Sequence, residues 1–382
     1  MSMRVAFVSQ TGAKPGGAEE SLSLFLRNLP SDIEPQVVVF EDGEFAQRLR
    51  SYGLPTHVIE IPQQLRAVTR EKPSAAGTLA LPRVIRAVSR FLAKERIDLV
   101  HTNTMKAHLI AAPAARLLGI PSVMHMRDMV EGASRVALRA VAQTCSGERI
   151  AISHALSRWY GMSRTTVIPN PVDLSRFSQV PKRVDARRML GVPLDDAPLI
   201  GIVGRINRWK GHDRFLRAAA NVHARRPIRC VVVGEARFRD ADFVPELHVL
   251  ARELGIADRT TFVPWLEDPR TAYAALDVHC NCSEREPFGR SIIEAAAAGV
   301  PTVAFDDGGA VDIIHDGEDG RIIAAGDSDA FADAVFALIS DDPARREETA
   351  RAARVRSARF AAPEHARLVS AVLRRNLRER SI

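Results

Sequence analysis

Aromatic residues are scarce in this chain of 382 residues, 5% in all, with 3 Trp and 3 Tyr. Basic residues are not interleaved with them and no recognisable module is present, which argues against nucleic-acid binding. Cysteine is scarce as well. Cys145, Cys230, Cys280 and Cys282 form no Cys-x-x-Cys pair and have no His at finger-like spacing. No structural zinc is expected, and the four read as reduced thiols of a cytosolic protein. No apolar run reaches the roughly eighteen residues that a membrane span requires. The opening MSMRVAFVSQ reads as a first strand and not as a secretory signal.

What is present describes a globular protein, 46% hydrophobic and 26% charged. Its length calls for two domains, or three. The net charge of +7 is unevenly spread. Residues 1–196 carry 26 Lys+Arg against 18 Asp+Glu, residues 197–362 carry 22 against 26, and residues 363–382 carry 5 against 2. A basic first half and tail fit an anionic membrane surface or a phosphate-bearing acceptor. They fit equally an Arg-rich chain with solvated helix faces. Within the first half, Arg83, Arg86, Arg90 and Lys94 share one face of the helix predicted over Pro82–Lys94. Arg66, Arg70 and Lys72 add to them from the segment Gln63–Thr78.

Short β-branched runs alternate with amphipathic stretches. Strands are predicted over Arg4–Val8, Gln36–Phe40, His57–Ile61, Leu99–Thr102, Ser122–His125, Arg149–Ile152 and Thr166–Ile168. The rhythm resumes over Leu199–Val203, Arg229–Val233, Thr260–Val263, Val278–Asn281 and Thr302–Ala304. Strands separated by helices require parallel sheets covered on both faces. The expected fold class is α/β, with two Rossmann-like domains facing a central cleft. The first spans 1–172, with a C-terminal helix in 363–382 packing back on it. Residues 173–198, with three prolines and paired acids, read as a linker, and the second domain spans 199–362. Ligands of such sheets sit at the carboxyl ends of the strands.

The loops at those ends carry the candidate chemistry. In TGAKPGGAEESLSLF, Gly16 and Gly17 open a helix whose free amides suit an anion, or they form a plain turn. The pattern is not Gly-x-Gly-x-x-Gly, so no nicotinamide or flavin fingerprint is present. In IGIVGRINRWKGHDRFLRAA, Gly204 ends a strand, and Arg205 and Lys210 follow on the loop to the next helix. A guanidinium and an ammonium aimed at one place suit a diphosphate. Taken alone, two such residues are ordinary surface.

The strongest signal is CSEREPFGRSIIEAAAAGVPTVAF. Glu286 precedes a helix start at Pro287–Ser291, and Glu294 lies about two turns along that helix. The helix N-terminus suits sugar hydroxyls and a leaving diphosphate, and the later carboxylate suits the paired hydroxyls of a ribose. Two exposed acids on a helix are the plain alternative. In PSVMHMRDMVEG, His125, Arg127 and Asp128 are placed at a strand end, at the mouth of the cleft, or His125 is a structural histidine. Asp240-Ala-Asp242 matches a metal-holding Asp-x-Asp but sits in the charged run RFRDADF and reads as solvent-facing, so no metal site is expected.

Seven stretches carry a family resemblance: PGGAEESL, VHTNTMKAH, ISHALS, VIPNPVDLSRF, VGRINRWKG, EPFGRSIIEAAAAGVPTVA and DDGGAVDIIHDGEDG. In this order, over almost the whole length, they resemble the retaining glycosyltransferases of the GT-B fold, specifically family 4, which builds bacterial surface glycans and glycolipids. The resemblance implies that Arg205 and Lys210 bind the donor phosphates. It implies that Glu286 contacts the donor sugar and Glu294 the donor ribose. Phe288, Gly289, Arg290 and Ser291 would supply a backbone cradle, Gly204 would end the strand before the phosphate loop, and Gly16 and Gly17 would close over the donor. His125 matches the first-domain histidine that approaches the donor sugar. The chain departs from the family at Asn170-Pro171, where Asn-Gly is common, at Asp312, where Glu is common, and at Asn281-Cys282-Ser283, where an apolar-Pro-Ser run is common. The last departure bears on nucleotide or sugar preference.

The implied reaction moves a hexose-type sugar from a nucleotide-diphosphate donor to a hydroxyl of a glycan, lipid-linked or small-molecule acceptor. It proceeds with retention and needs neither metal nor cofactor. The expected place is the cytoplasm, at the inner face of the membrane if the basic stripe engages it. Rival readings are a nucleotide-sugar epimerase or a phosphorylase on the same fold, and a non-catalytic nucleotide-sugar-binding subunit. Only six lysines are present, and Lys210 is already assigned to the diphosphate, which weighs against a cofactor-bearing Lys of a phosphorylase.

Overall fold

The computed structural model describes residues 2–66, 75–236, 240–340 and 342–378, with side chains left undescribed for 75–78. The described chain divides into two compact units, one of Met1–Pro171 with Ala362–Ile382 and one of Val172–Ala361. Each is built on a parallel sheet.

The first unit holds β1 (Met3–Ser9), β2 (Ile33–Val39), β3 (Thr56–Val58), β4 (Leu99–Thr102), β5 (Ser122–Met126), β6 (Glu148–Ala151) and β7 (Thr165–Val167). Their spatial order is β3-β2-β1-β4-β5-β6-β7, all parallel. Strands buried on both faces read as continuous apolar runs, which is why these segments were visible in the sequence. On one face, Leu22 and Phe25 of the helix Gly17–Leu26 pack with Val369, Val372 and Leu373 of the helix Ala362–Arg378. On the other, Val84, Val88 and Leu92 of the helix Ala75–Lys94 pack with Ile110, Ala111 and Ala114 of the helix Met105–Leu117. Arg83, Arg86, Arg90 and Lys94 are exposed on that first helix. The helix begins at Ala75, seven residues before the predicted start, and runs through Pro82. Arg70 and Lys72 lie outside the described residues.

The second unit holds β8 (Leu199–Val203), β9 (Arg229–Val233), β10 (Thr260–Val263), β11 (Val278–Asn281), β12 (Thr302–Phe305) and β13 (Gly320–Ile323), in the order β10-β9-β8-β11-β12-β13. All are parallel. Strand β13 was not predicted, because it is four residues long, opens on glycine and follows the acidic turn DGEDG. The segment 173–198, read above as a linker, carries the short helices Leu174–Phe177 and Arg183–Met189. Ala186, Leu190 and Val192 are buried there with Tyr273 and Leu276. That segment therefore belongs to the second unit. Its prolines and acids hid a small apolar face. Arg187 and Arg183 both pair with Asp277 at the start of β11, which ties the segment to the sheet.

In both sheets the strand order reverses beside the first strand, between β1 and β4 and between β8 and β11. A reversal opens a crevice at the carboxyl ends of its two strands, since their connections leave toward opposite faces.

Candidate functional site

At the reversal in the second unit, Gly204 follows β8, and Arg205 is exposed beside it. Asn207 begins a single turn, Arg208–Lys210, by accepting the Lys210 N–H through its side chain at 3.2 Å. Gly211 closes the turn with φ of 72°, pressed against the loop after β11: a Cβ there would stand 2.1 Å from the Cys282 carbonyl oxygen. Only glycine fits that contact. The Trp209 carbonyl accepts from the Glu284 N–H at 2.8 Å, so the two loops are stitched together. Lys210 is thereby brought to Glu286, with which it forms an ion pair, and its Nζ lies 4.3 Å from the Trp209 ring centroid.

Glu286 is held by its backbone. Its N–H donates to the Asp307 carbonyl at 2.9 Å, and its own carbonyl accepts from the Gly309 N–H at 2.8 Å. Gly308, at φ of 134°, would place a Cβ 2.1 Å from the Glu286 carbonyl oxygen, so the strand end after β12 approaches as closely as a backbone can. Phe288 is buried edge-on to Phe360, ring centroids 6.0 Å apart. Its side chain is core, and only its backbone is left for a ligand. Gly289 then leads into the helix Arg290–Ala298.

Glu294 lies one turn along that helix with both oxygens engaged. Oε1 accepts from Arg290 Nη2 at 2.9 Å and Oε2 from the Tyr273 hydroxyl at 2.9 Å. Gly204, Lys210, His212, Asn281, Ser283 and Ser291 line one small pocket. Of the residues predicted in the second domain, Gly204, Lys210 and Ser291 line that pocket, Glu286 pairs with Lys210, and Arg205 follows Gly204 on the same loop.

Beneath the crevice the charge balance is set by burial. His212 and His279 are wholly enclosed and pushed down to about 3, first by burial and then by the nearby Lys210 charge. They stay neutral, so the positive charge here belongs to Lys210, Arg205 and Arg290. Asp242, of the rejected Asp-x-Asp, is exposed at the start of the helix Phe243–Glu253. Among the described residues, no three His, Cys, Asp or Glu side chains are grouped so as to hold a metal ion.

In the first unit, Gly16 starts the helix Gly17–Leu26 and donates its N–H to Glu19 Oε2 at 3.1 Å. Burial raises the Glu19 carboxyl above its ordinary range. Asn103, after β4, bonds the Ala18 carbonyl at 3.1 Å and the Arg127 Nε at 2.6 Å, and Arg127 also donates to Asn170. His125 is not at the mouth of a cleft but takes the alternative reading, that of a structural histidine. It lies within β5 and is wholly buried. Its Nδ1 accepts from Arg127 Nη2 at 3.3 Å and from His101 Nε2 at 3.2 Å. A guanidinium only donates, so Nδ1 carries no proton and Nε2 does. The ring stacks on His365 of the C-terminal helix, centroids 5.8 Å apart, and His365 Nδ1 donates to the Pro169 carbonyl at 2.7 Å. The alternation of β5 turns the imidazole inward under that helix, and Arg127, the next but one residue, shares the same side.

Residues 191–356 match the family described as Glycosyl transferases group 1, and residues 15–176 match Glycosyltransferase Family 4. The D-inositol 3-phosphate glycosyltransferase of Geodermatophilus obscurus is 32% identical over 94% of this chain and 81% of its own length. The chain belongs to the family 4 glycosyltransferases. The enzyme of that same name from Xylanimonas cellulosilytica is 35% identical over 71% of this chain, which spans only 65% of that relative's length. Among solved structures, HepE of Anabaena in complex with UDP superposes with a TM-score of 0.83 at 27% identity, covering 97% of this chain and 99% of that one. The same protein in complex with UDP-glucose gives 0.82 at 26% identity over the same shares. The fold is therefore the GT-B fold of glycosyltransferases.

Within this family 4 chain, several groups at the crevice had no sequence assignment. Tyr273 precedes its partner Glu294 by 21 residues and no local pattern links them. Gly308 and Gly309 stand in a quoted run, DDGGAVD, whose double glycine marks a close backbone approach. In the first unit, Asn103 had no assignment and Asn170 stood out only as a departure from the family pattern, because an asparagine's role is set by what folding brings beside it.

Proposed function

We propose that this chain is a retaining, metal-independent glycosyltransferase that takes a hexose from a nucleotide-diphosphate donor bound at the Lys210–Glu286 crevice. The observation that carries the reading is the Lys210–Glu286 pair at a strand-end reversal, with Arg205 on the loop that carries Lys210 and with Glu294 on the helix that follows Glu286. Each has a distinct use. The departing diphosphate gains negative charge as the sugar–phosphate bond breaks, and Arg205, Lys210 and the amides at Gly289–Ser291 meet it. Preorganised donors of this kind supply on the order of 3 kcal/mol each. Glu286, already beside Lys210, is left to hold the sugar hydroxyls, and Glu294 the ribose.

The acceptor hydroxyl attacks the anomeric carbon on the face that the diphosphate leaves, and its proton passes to a leaving phosphate oxygen. Atoms balance without a protein base: a nucleoside diphosphate and a glycoside of unchanged configuration result. His125 is a buried neighbour of Arg127 in this reading and acts by supporting that side of the first unit.

HepE of Anabaena binds UDP and UDP-glucose, so UDP-glucose is the first donor to test. The relatives' name makes D-inositol 3-phosphate the first small acceptor. The exposed stripe of Arg83, Arg86, Arg90 and Lys94 favours a second acceptor class, a lipid-linked hydroxyl at an anionic membrane surface. The deciding experiment is turnover of a nucleotide-sugar panel with each acceptor, followed by release of nucleoside diphosphate. An epimerase would return an altered nucleotide sugar, and a binding subunit would return the donor untouched.

A further inference from the structure

We propose that Tyr273 is a positioning residue that fixes Glu294 for a ribose diol and makes the chain select ribonucleotide over 2′-deoxyribonucleotide donors. The inference rests on the donor reading above and names a group that the sequence left unassigned.

Tyr273 lies on the short helix Arg270–Ala275 and is wholly buried. Its ring is held on two sides, edge-on to His279 with centroids 5.8 Å apart and tilted on Phe177 at 6.4 Å. His279 is itself fixed by a 3.0 Å contact from Nδ1 to Thr302 Oγ1. The phenol therefore cannot swing. It donates to Glu294 Oε2 at 2.9 Å, while Arg290 Nη2 donates to Oε1 at 2.9 Å. Burial, reinforced by the adjacent Glu294 charge, raises the phenol well above its ordinary range, so it remains a donor.

A carboxylate has about four lone-pair sites on two oxygens. Two protein donors, one on each oxygen, leave one site per oxygen and lock the rotation of the group. The Glu294 side chain is 15% exposed, which is where those remaining sites must open. Two acceptors side by side, fixed in orientation, match the two hydroxyls of a ribose. A deoxyribose leaves one of them without a donor, and a site built to bond a hydroxyl rejects the analogue lacking it. Without the phenol the carboxylate turns freely toward Arg290, and the pairing with the second hydroxyl is lost.

The test is calorimetric binding to the full chain of UDP, GDP and ADP, and of the 2′-deoxy counterpart of whichever binds best. The wild-type protein should prefer the ribonucleotide by about 10-fold or more. Tyr273→Phe should weaken the ribonucleotide about 10-fold, leave the deoxynucleotide within about twofold, and so erase the preference. Thermal melting shows whether the variant is folded, and Arg290→Met, which removes the other restraint, should also erase the preference. Equal weakening of both nucleotides by Tyr273→Phe would make the tyrosine merely structural and overturn the proposal. So would a wild-type protein that binds both forms equally, or a preference that survives both substitutions. If no nucleotide binds at all, it is the donor reading itself that fails.

Discussion

Lys210 and Glu286, 76 residues apart in the chain, pair their charges at the reversal of the second sheet. The turn Arg208–Lys210 presents the cation, and the backbone clamp of Asp307–Gly309 presents the acid. Lys210 is partly exposed and Glu286 is buried, with side chains 22% and 9% exposed. On the proposed reading, an arriving diphosphate would draw Lys210 and free Glu286 for the sugar. Lys210→Ala and Arg205→Ala should each lower turnover by about 10²-fold or more, with melting temperature unchanged within a few degrees. Steady-state rates at limiting donor check this, and wild-type turnover in either variant would remove the phosphate assignment.

The Gly308–Glu286 contact makes a separate prediction. Alanine at 308 must adopt φ of 134° and place its Cβ 2.1 Å from the Glu286 carbonyl oxygen. Strain at such a position costs on the order of 1–3 kcal/mol, and relief of the clash displaces Glu286. Gly308→Ala should therefore lower both melting temperature and donor affinity. A variant that keeps both would show that the clamp is not needed.

Acid should weaken both units. Burial pushes His108 and His365 in the first unit, and His212 and His279 in the second, down to about 3. In the unfolded chain each returns to about 6.5. Below that value the unfolded state takes up a proton that the folded state refuses, so stability is full above about pH 6.5 and falls as pH drops toward 3. Each buried ring contributes a slope of about 1.4 kcal/mol per pH unit in the middle of that window. Melting temperature should drop between pH 7 and pH 5, and His365→Gln should flatten the drop for the first unit. A melting temperature constant across this range would contradict the neutral histidine cluster.

The basic helix face predicts a lipid preference. Arg83, Arg86, Arg90 and Lys94 are exposed on the helix Ala75–Lys94, whose opposite side is buried through Val84, Val88 and Leu92. Each such residue contributes about 1 kcal/mol at an anionic surface at low salt. Co-sedimentation should occur with anionic but not neutral vesicles, weaken steeply with salt and fall on changing Arg83, Arg86 and Arg90 to Ser. Equal recovery with both vesicle types would leave the stripe as a solvated face.

Much of the fold was legible because parallel strands are short, apolar and separated by helical periodicity. Strands β4, β8, β9, β10 and β11 fall at the predicted bounds. The linker was not legible, since three prolines and paired acids conceal that Ala186, Leu190 and Val192 form an apolar face. At the site, Arg205 and Lys210 stood out by following the end of a strand in the second domain, and Glu286 and Glu294 by their spacing around the start of a helix. Tyr273 did not, because a tyrosine in a run of alanines looks like core until its hydroxyl is seen on Glu294. For His125 the sequence left two readings, a group at the mouth of the cleft or a structural histidine, and its burial fits the second. Which way a strand residue faces depends on what covers the sheet, and here the helix Ala362–Arg378, more than two hundred residues later, covers it.

The central claim is that the Lys210–Glu286 crevice activates a nucleotide-diphosphate sugar. Its most direct test is to incubate the protein with UDP-, GDP- and ADP-hexoses in excess chelator and follow nucleoside diphosphate release. Each donor is measured alone, with D-inositol 3-phosphate and with anionic-membrane lipid. The account predicts that one donor yields its nucleoside diphosphate despite the chelator, slowly to water and faster to an acceptor. The glycoside should keep the donor's anomeric configuration, and Lys210→Ala should slow the release by about 10²-fold or more. Absence of both binding and release for every donor, or release that Lys210→Ala leaves untouched, would contradict it.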